Sequence, residues 1–242
     1  MTTLFISDLH LDPRHPQTAL ALGQLLQHET AKIDALYILG DLFEAWIGDD
    51  FEHPFLDQIK VGLRAVTAAG VPGYIMHGNR DFLIGEKFCE ETGFTLLDDP
   101  TLVELDDGRR ALLMHGDTLC TQDVKYQELR KMVRDPAWQA AALAKSIPER
   151  LAAAQELRDM SQAETGDKAE EIMDVTESEV VRVMAEHDVD LLIHGHTHRP
   201  AIHDLEINGK SAQRVVLGDW YKRGWTLHYF ADGKFELKDF SF

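Results

Sequence analysis

The sequence predicts an α/β fold with mixed β-sheets and a helical segment inserted late in the chain. Three observations predict it. Short apolar runs ending in polar residues alternate with helical patterns through the first half. Three Asx-Gly pairs, Asp107-Gly108, Asn208-Gly209 and Asp232-Gly233, sit between alternating or β-rich runs and mark hairpins. Residues 121–186 are instead rich in Ala, Glu, Lys, Arg, Leu and Met, the composition of helix.

The elements follow in order. Apolar runs at 3–7, 35–39, 73–76 and 191–194 read as strands, with helical patterns at about 18–28 and 54–68 between the first three. The Asp107-Gly108 turn joins "LVEL" to "ALLMH", so antiparallel hairpins extend the α/β core, and a second sheet packed on the first is expected. In the helical segment, Pro136 and Pro148 fit first-turn positions and Gly166 breaks the pattern. The chain is expected to be a single domain over 1–242, with residues 121–186 inserted between two core strands.

Composition narrows the function classes. Hydrophobic content of 44% and charged content of 27% are those of a globular protein. A net charge of −18 argues against a sequence-independent nucleic-acid binder, because phosphate affinity is largely a cation effect. Within 121–160, seven Lys or Arg face six Asp or Glu, a local balance of +1 against that acidic background. Cys89 and Cys120 form no CxxC pair and read as free thiols of a reducing compartment. The N-terminus enters a strand at once, without the pattern of a signal peptide, and no run approaches the ~18 apolar residues of a membrane span. A cytoplasmic protein able to touch a membrane surface is expected.

Five short pieces, each after an apolar strand, carry the chemistry. They are Asp8-Leu9-His10, Gly40-Asp41, Gly78-Asn79-Arg80-Asp81, His115-Gly116-Asp117 and His194-Gly195-His196-Thr197-His198. In extended chain, residues i and i+2 point the same way, so Asp8 with His10, and His196 with His198, are each expected to face one ion. Asp41 can bridge two ions through its two oxygens. This oxygen and nitrogen set suits Mn²⁺, Fe²⁺ or Zn²⁺ better than a thiolate site would.

The ordered set resembles the calcineurin-like metallophosphoesterase superfamily, with D-x-H, G-D, G-N-x-[DE], H-G and G-H-x-H. The resemblance implies two mixed β-sheets sandwiched between helices. It also implies one ion on Asp8, His10, Asp41 and His198 and another on Asp41, Asn79, His115 and His196. His194 is the spare histidine, in or beside its strand. Two departures stand out: "GDLFE" places Glu44 where the superfamily has Asp, and Arg80 replaces the usual His. Arg cannot serve as a general acid, but it can hold phosphate oxygens bidentately. That suits a leaving group needing no proton, such as a phosphate, and therefore P–O–P cleavage.

"GNRDF", "GDLFEAWIGDD", "HGDTLCTQDVKYQ" and "LIHGHTHRPAIH" together resemble one branch, the UDP-2,3-diacylglucosamine pyrophosphatases of lipid A biosynthesis. The resemblance implies hydrolysis to UMP and 2,3-diacylglucosamine 1-phosphate by hydroxide attack on the α-phosphorus, with two Mn²⁺ per chain. It implies work as a peripheral protein, expected to be monomeric, at the cytoplasmic face of the inner membrane. The 121–186 helices then act as a lid over the acyl chains. Asp41, Asn79, Arg80 and His196 carry the catalysis. Asn79, Arg80, Asp123, Ser161, Thr165, Lys168 and His196 contact substrate, although helix capping is the plainer role for Asp123 and Ser161. A phosphodiesterase acting on soluble substrates would share the metal motifs but have no use for the lid.

Overall fold

The computed structural model describes residues 1–167 and 174–242, with side chains over 1–159 and 174–242. The described residues form two packed sheets. The first has the order β11-β10-β1-β2-β3-β4, from β1 (Thr2–Ile6), β2 (Ala35–Leu39), β3 (Gly73–Met76), β4 (Thr95–Leu97), β10 (Gly224–Phe230) and β11 (Phe235–Phe240). Strands β1 to β4 run parallel, and β10 and β11 add antiparallel at one side. The second sheet has the order β5-β6-β7-β9-β8, from β5 (Thr101–Glu104), β6 (Arg110–Met114), β7 (Leu191–His194), β8 (Ala201–Ile207) and β9 (Lys210–Val216). Here β6, β7 and β9 are parallel and flanked by antiparallel neighbours.

The period of two in the strands sorts their side chains between layers. Phe5, Leu39, Met76, Leu113, Ile193 and Val215 meet between the sheets. Their strand neighbours Leu4, Ile6, Leu36, Ile38 and Ile75 face outward onto α1 (Pro16–Glu29), α2 (Pro54–Ala68) and α3 (Glu86–Thr92). On the far side, Leu112, Met114 and Leu192 pack against Val180, Val183 and Met184 of α7 (Glu177–Glu186). Strands covered on both faces have no need of polar alternation, which is why they stood out as continuous apolar runs. The three Asx-Gly turns join β5 to β6, β8 to β9 and β10 to β11, as expected.

Two boundaries differ from expectation. The expected insertion ran to 186, but α7 is amphipathic and is the helix that covers the second sheet. The inserted part beyond that layer is α4 (Val124–Val133), α5 (Pro136–Leu143) and α6 (Ile147–Asp167). Gly166 does not break α6, which continues to Asp167. One glycine costs a helix only about 1 kcal/mol, and least near an end. Pro136 does open α5, with Asp135 accepting from the amides of Ala137 and Trp138. Among the described residues, no helix is long and apolar enough to cross a membrane.

Candidate metal centre

Strands β1, β2 and β3 of one sheet and β6 and β7 of the other deliver their carboxyl ends to one place. The loops there carry Asp8, Asp41, Asn79, His115, His196 and His198. Backbone bonds lock them together: Asp8 N donates to Gly40 O, His10 N to Asp41 O, and Gly195 N to His115 O. Gly78 is required by close approach, because a Cβ there would fall on the Asp41 carboxylate.

The ligand-type residues are not extended, contrary to the spacing argument. Asp8, His10, Asp41, His196 and His198 all have positive φ, between 50° and 67°. Each lies beyond its strand end, where the chain must turn back over the sheets. Left-handed backbone costs a non-glycine residue about 1–2 kcal/mol and is least unfavourable for Asp, Asn and His. Such strain is expected to cluster where function needs it.

This geometry separates His196 from His198, which the i, i+2 rule had placed together. His198 Nε2 lies 3.2 Å from His10 Nε2 and 3.4 Å from Asp8 Oδ1. His196 Nδ1 lies 2.9 Å from Asn79 Oδ1, and His115 Nε2 is 3.0 Å from the same oxygen. The residues therefore fall into two groups, Asp8 with His10 and His198, and Asn79 with His115 and His196. Asp41 stands between them, and a single oxygen faces both. Asp41 Oδ2 is 3.9 Å from His10 Nε2 and 3.9 Å from His115 Nε2. The other oxygen, Oδ1, accepts from the Arg80 amide at 2.8 Å.

The donor set fits a cation. His115 Nδ1 faces the Leu39 carbonyl at 2.9 Å, an acceptor only, so Nδ1 carries the proton. In a neutral ring the inward Nε2 is then a lone pair, aimed at the Asn79 oxygen, a second acceptor. Burial opposes charge on His115, yet the carboxylates of Asp41, Asp117 and Asp8 outweigh it and lift its pKa to about 9. His196 goes the other way, lowered to about 3 by burial and by the charge of His115. Burial also raises Asp41, with the Asp81 and Asp8 charges adding to it against His115 and His10. A pocket that buries the carboxylates of Asp8, Asp41 and Asp117 together calls for positive charge at its centre. Asp8, His10 and His198 form one set with donor atoms close enough for an ion, and Asp8, Asp41 and His115 another.

The remaining candidates are placed as follows. Asp81 is fully buried and holds the turn that carries Asn79 and Arg80. Its carboxylate accepts from the amides of Gly78 and Leu42 at 2.8 Å each, with Asp41 N and Phe43 N further off at 3.3 and 3.4 Å. His194 is the spare histidine, buried at the end of β7, with Nδ1 on Gly195 O and a pKa lowered to about 3 by burial and Arg214. Asp123 caps α4, accepting from Tyr126 N at 3.2 Å. The side chains of Ser161 and Thr165, and Lys168 altogether, lie outside the described residues.

Three supports back the ligand-type residues, and of them the sequence pointed only to Glu44. Glu44 Oε2 lies 3.0 Å from His10 Nδ1. Tyr221 stacks on the His10 ring, with centroids 5.1 Å apart. Buried Asp117 accepts from the Tyr126 hydroxyl and from Arg130 Nε, and the Tyr126 ring stacks on His196. For Glu44 the "GDLFE" departure was a usable signal; Tyr221 and Arg130 reach the site only through tertiary contacts. Beside the polar centre, a cavity of about 100 Å³ runs from Asn79 and Arg80 to Trp46, Phe82, Trp138 and Leu157.

The model of the calcineurin-like phosphoesterase family matches residues 1–200. The UDP-2,3-diacylglucosamine hydrolase of Marinobacter nauticus is 53% identical over 94% of this chain and 93% of its own. That of Cellvibrio japonicus is 52% identical over 96% and 97%, and that of Chromohalobacter salexigens 50% identical over 100% and 98%. Motifs, geometry and near end-to-end likeness agree: the chain belongs to the calcineurin-like phosphoesterases and, within them, to the family of the UDP-2,3-diacylglucosamine hydrolases.

Proposed function

We propose that the chain hydrolyses the pyrophosphate bond of UDP-2,3-diacylglucosamine, giving UMP and 2,3-diacylglucosamine 1-phosphate, a step of lipid A biosynthesis. The observation that carries this reading is the apolar cavity opening beside Asn79 and Arg80. One wall comes from the core loop at Trp46 and Ile47, and the other from Trp138 of α5 and Ala153, Ala154 and Leu157 of α6. A soluble phosphodiester needs no such groove. A substrate carrying phosphates at one end and acyl chains at the other needs both halves side by side.

Two Mn²⁺ ions are proposed as cofactors, one held by Asp8, His10, Asp41 and His198, the other by Asp41, Asn79, His115 and His196. When bound they supply positive charge for the phosphoryl oxygens and lower the pKa of water toward neutrality. Asp41 holds the two ligand groups in one frame through Oδ2. Asn79 lines the cavity, and His196 Nδ1 lies 2.9 Å from its Oδ1. Arg80 binds phosphate oxygens and steadies the departing sugar phosphate, which leaves as a phosphate and needs no general acid. The ring of Tyr126 fixes His196 from behind.

Docking at the cytoplasmic face of the inner membrane, as a monomer, is part of the proposal. Val124, Met132, Leu143 and Leu151 are exposed on the inserted helices, beside basic residues that offset the acidic balance of the chain. Flotation with anionic liposomes tests it.

The main experiment incubates the protein with UDP-2,3-diacylglucosamine and Mn²⁺ in ¹⁸O-labelled water. Label in UMP is expected, from water attack at the α-phosphorus. Label in the lipid phosphate would move the attack to the other phosphorus. Turnover of a simple phosphodiester without cleavage of this lipid would remove the lipid assignment.

A further inference from the structure

His10 is gripped from three sides. Its ring lies parallel to Tyr221, 7° between planes, and its Nε2 faces His198 and Asp41. The third grip, on Nδ1, comes from Glu44 Oε2 at 3.0 Å. The opposite oxygen of the same carboxylate, Glu44 Oε1, lies 3.2 Å from Arg158 Nε. His10 is 3% exposed as a side chain, Glu44 13% and Arg158 12%, so the row of three is shielded from water. Among the described residues, His10 Nδ1, Glu44 Oε2 and Arg158 Nε are buried with no hydrogen-bond partner, so the row is held by charge and close approach rather than by aligned hydrogen bonds.

Arg158 belongs to α6, and it is one of two arginines on the same side of that helix. Two turns earlier, Arg150 donates to Asp50 Oδ1 and to the Ile47 carbonyl, each at 2.7 Å. The helix is thus fastened to the 44–50 loop at two points, with Ala154 and Leu157 facing Trp46 and Ile47 between them. One fastening ends in solvent at Asp50. The other ends on a carboxylate whose second oxygen holds an imidazole of the metal centre.

We infer that Glu44 and Arg158 are positioning residues for His10, and that the seating of helix α6 through Arg158 sets the aim of His10 into the metal centre. A carboxylate on the outer nitrogen of a ligating histidine fixes the tautomer, orients the ring and raises its basicity. Glu44 has a flexible stem and needs a second contact to stay on that nitrogen, and Arg158 provides it. The helix that walls the cavity is by this route coupled to the ion that acts on the phosphate. The inference rests on the reading of His10 as a metal ligand, and the test separates the two.

The test measures the Mn²⁺ affinity of the full chain by electron paramagnetic resonance of the free ion, with no substrate present. Glu44→Gln is expected to weaken binding by about 10-fold or more. Arg158→Met is expected to weaken it by a smaller factor, about 3-fold or more, and Arg158→Lys to restore most of that loss. The double variant should bind no more weakly than Glu44→Gln alone, because Arg158 acts only through Glu44. Melting curves of the metal-free variants check folding, and Arg158→Gln replaces Arg158→Met if the latter does not fold. Unchanged affinity in Arg158→Met with a raised KM would make Arg158 a substrate contact and overturn the coupling. Additive losses in the double variant would overturn it as well. Wild-type affinity in His10→Asn would overturn the metal reading itself, and the coupling with it.

Discussion

Replacing Asp81 by Asn removes one charge and one acceptor from a fully buried site. In the wild type the two shortest bonds use different oxygens: Oδ1 accepts from Gly78 N and Oδ2 from Leu42 N, each at 2.8 Å. An Asn side chain accepts with one oxygen only, so its amide must point at a backbone N–H that then has no partner. A hydrogen bond to a charged group contributes about 1.5–3 kcal/mol, and a buried donor left unmade costs a similar amount. Asp81→Asn should therefore destabilise by about 1.5–3 kcal/mol. At ~2–4 °C per kcal/mol for a chain of this size, the melting point should fall by roughly 3–12 °C. Because the Leu42 bond ties the Asp41 loop to the loop that carries Asn79, and the Gly78 bond shapes that second loop, metal content should fall too. Urea unfolding of the metal-free protein, with the slope held common, separates the structural loss from the loss of metal. Stability within about 0.5 kcal/mol of wild type would refute the argument that Asp81 clamps the two loops.

Three further outcomes follow from the geometry. Gly78→Ala should lose metal and stability together, because its methyl group would displace the Asp41 carboxylate; metal analysis after gel filtration reads this, and normal metal content would refute it. Arg80→Ala should lower kcat by about 10²–10³-fold with metal content unchanged, since its backbone amide, which holds Asp41, is kept; metal loss would show the side chain to be structural. Burial and the Asp117 charge raise the Asp99 pKa from 3.8 to about 6, so the folded chain holds a proton there that the unfolded chain releases. Stability is then lost as pH rises between those values, and the full penalty remains above pH 6. Asp99→Asn should melt higher than wild type at about pH 8 and match it below about pH 4, and a difference independent of pH would refute this.

The elements that could be read directly are those whose cause is local or two-sided burial. Strands at 35–39, 73–76 and 191–194 and the helix at 54–68 match the structure to the residue, because apolar runs and their bounding residues carry their own signal. Asn208-Gly209 turns a hairpin for a reason contained in two residues. The residues that gather at the candidate centre were legible for the same reason: strand ends carrying Asp, Asn and His are short local patterns. Their aim was not. Left-handed backbone at Asp8, His10, Asp41, His196 and His198 is imposed by the turn each loop makes over two sheets, and it sends His196 and His198 into different groups. That Asp41 faces both groups with one oxygen depends on an amide from Arg80, a neighbour only after folding. Glu44, Arg158 and Tyr221 meet His10 across long stretches of chain, and α7 joined the core because of the sheet it covers. By itself the sequence determined the chemistry available, through residue type and local pattern. Only the tertiary structure decided which atoms face one another, because that is settled by contacts between segments with no sequence proximity.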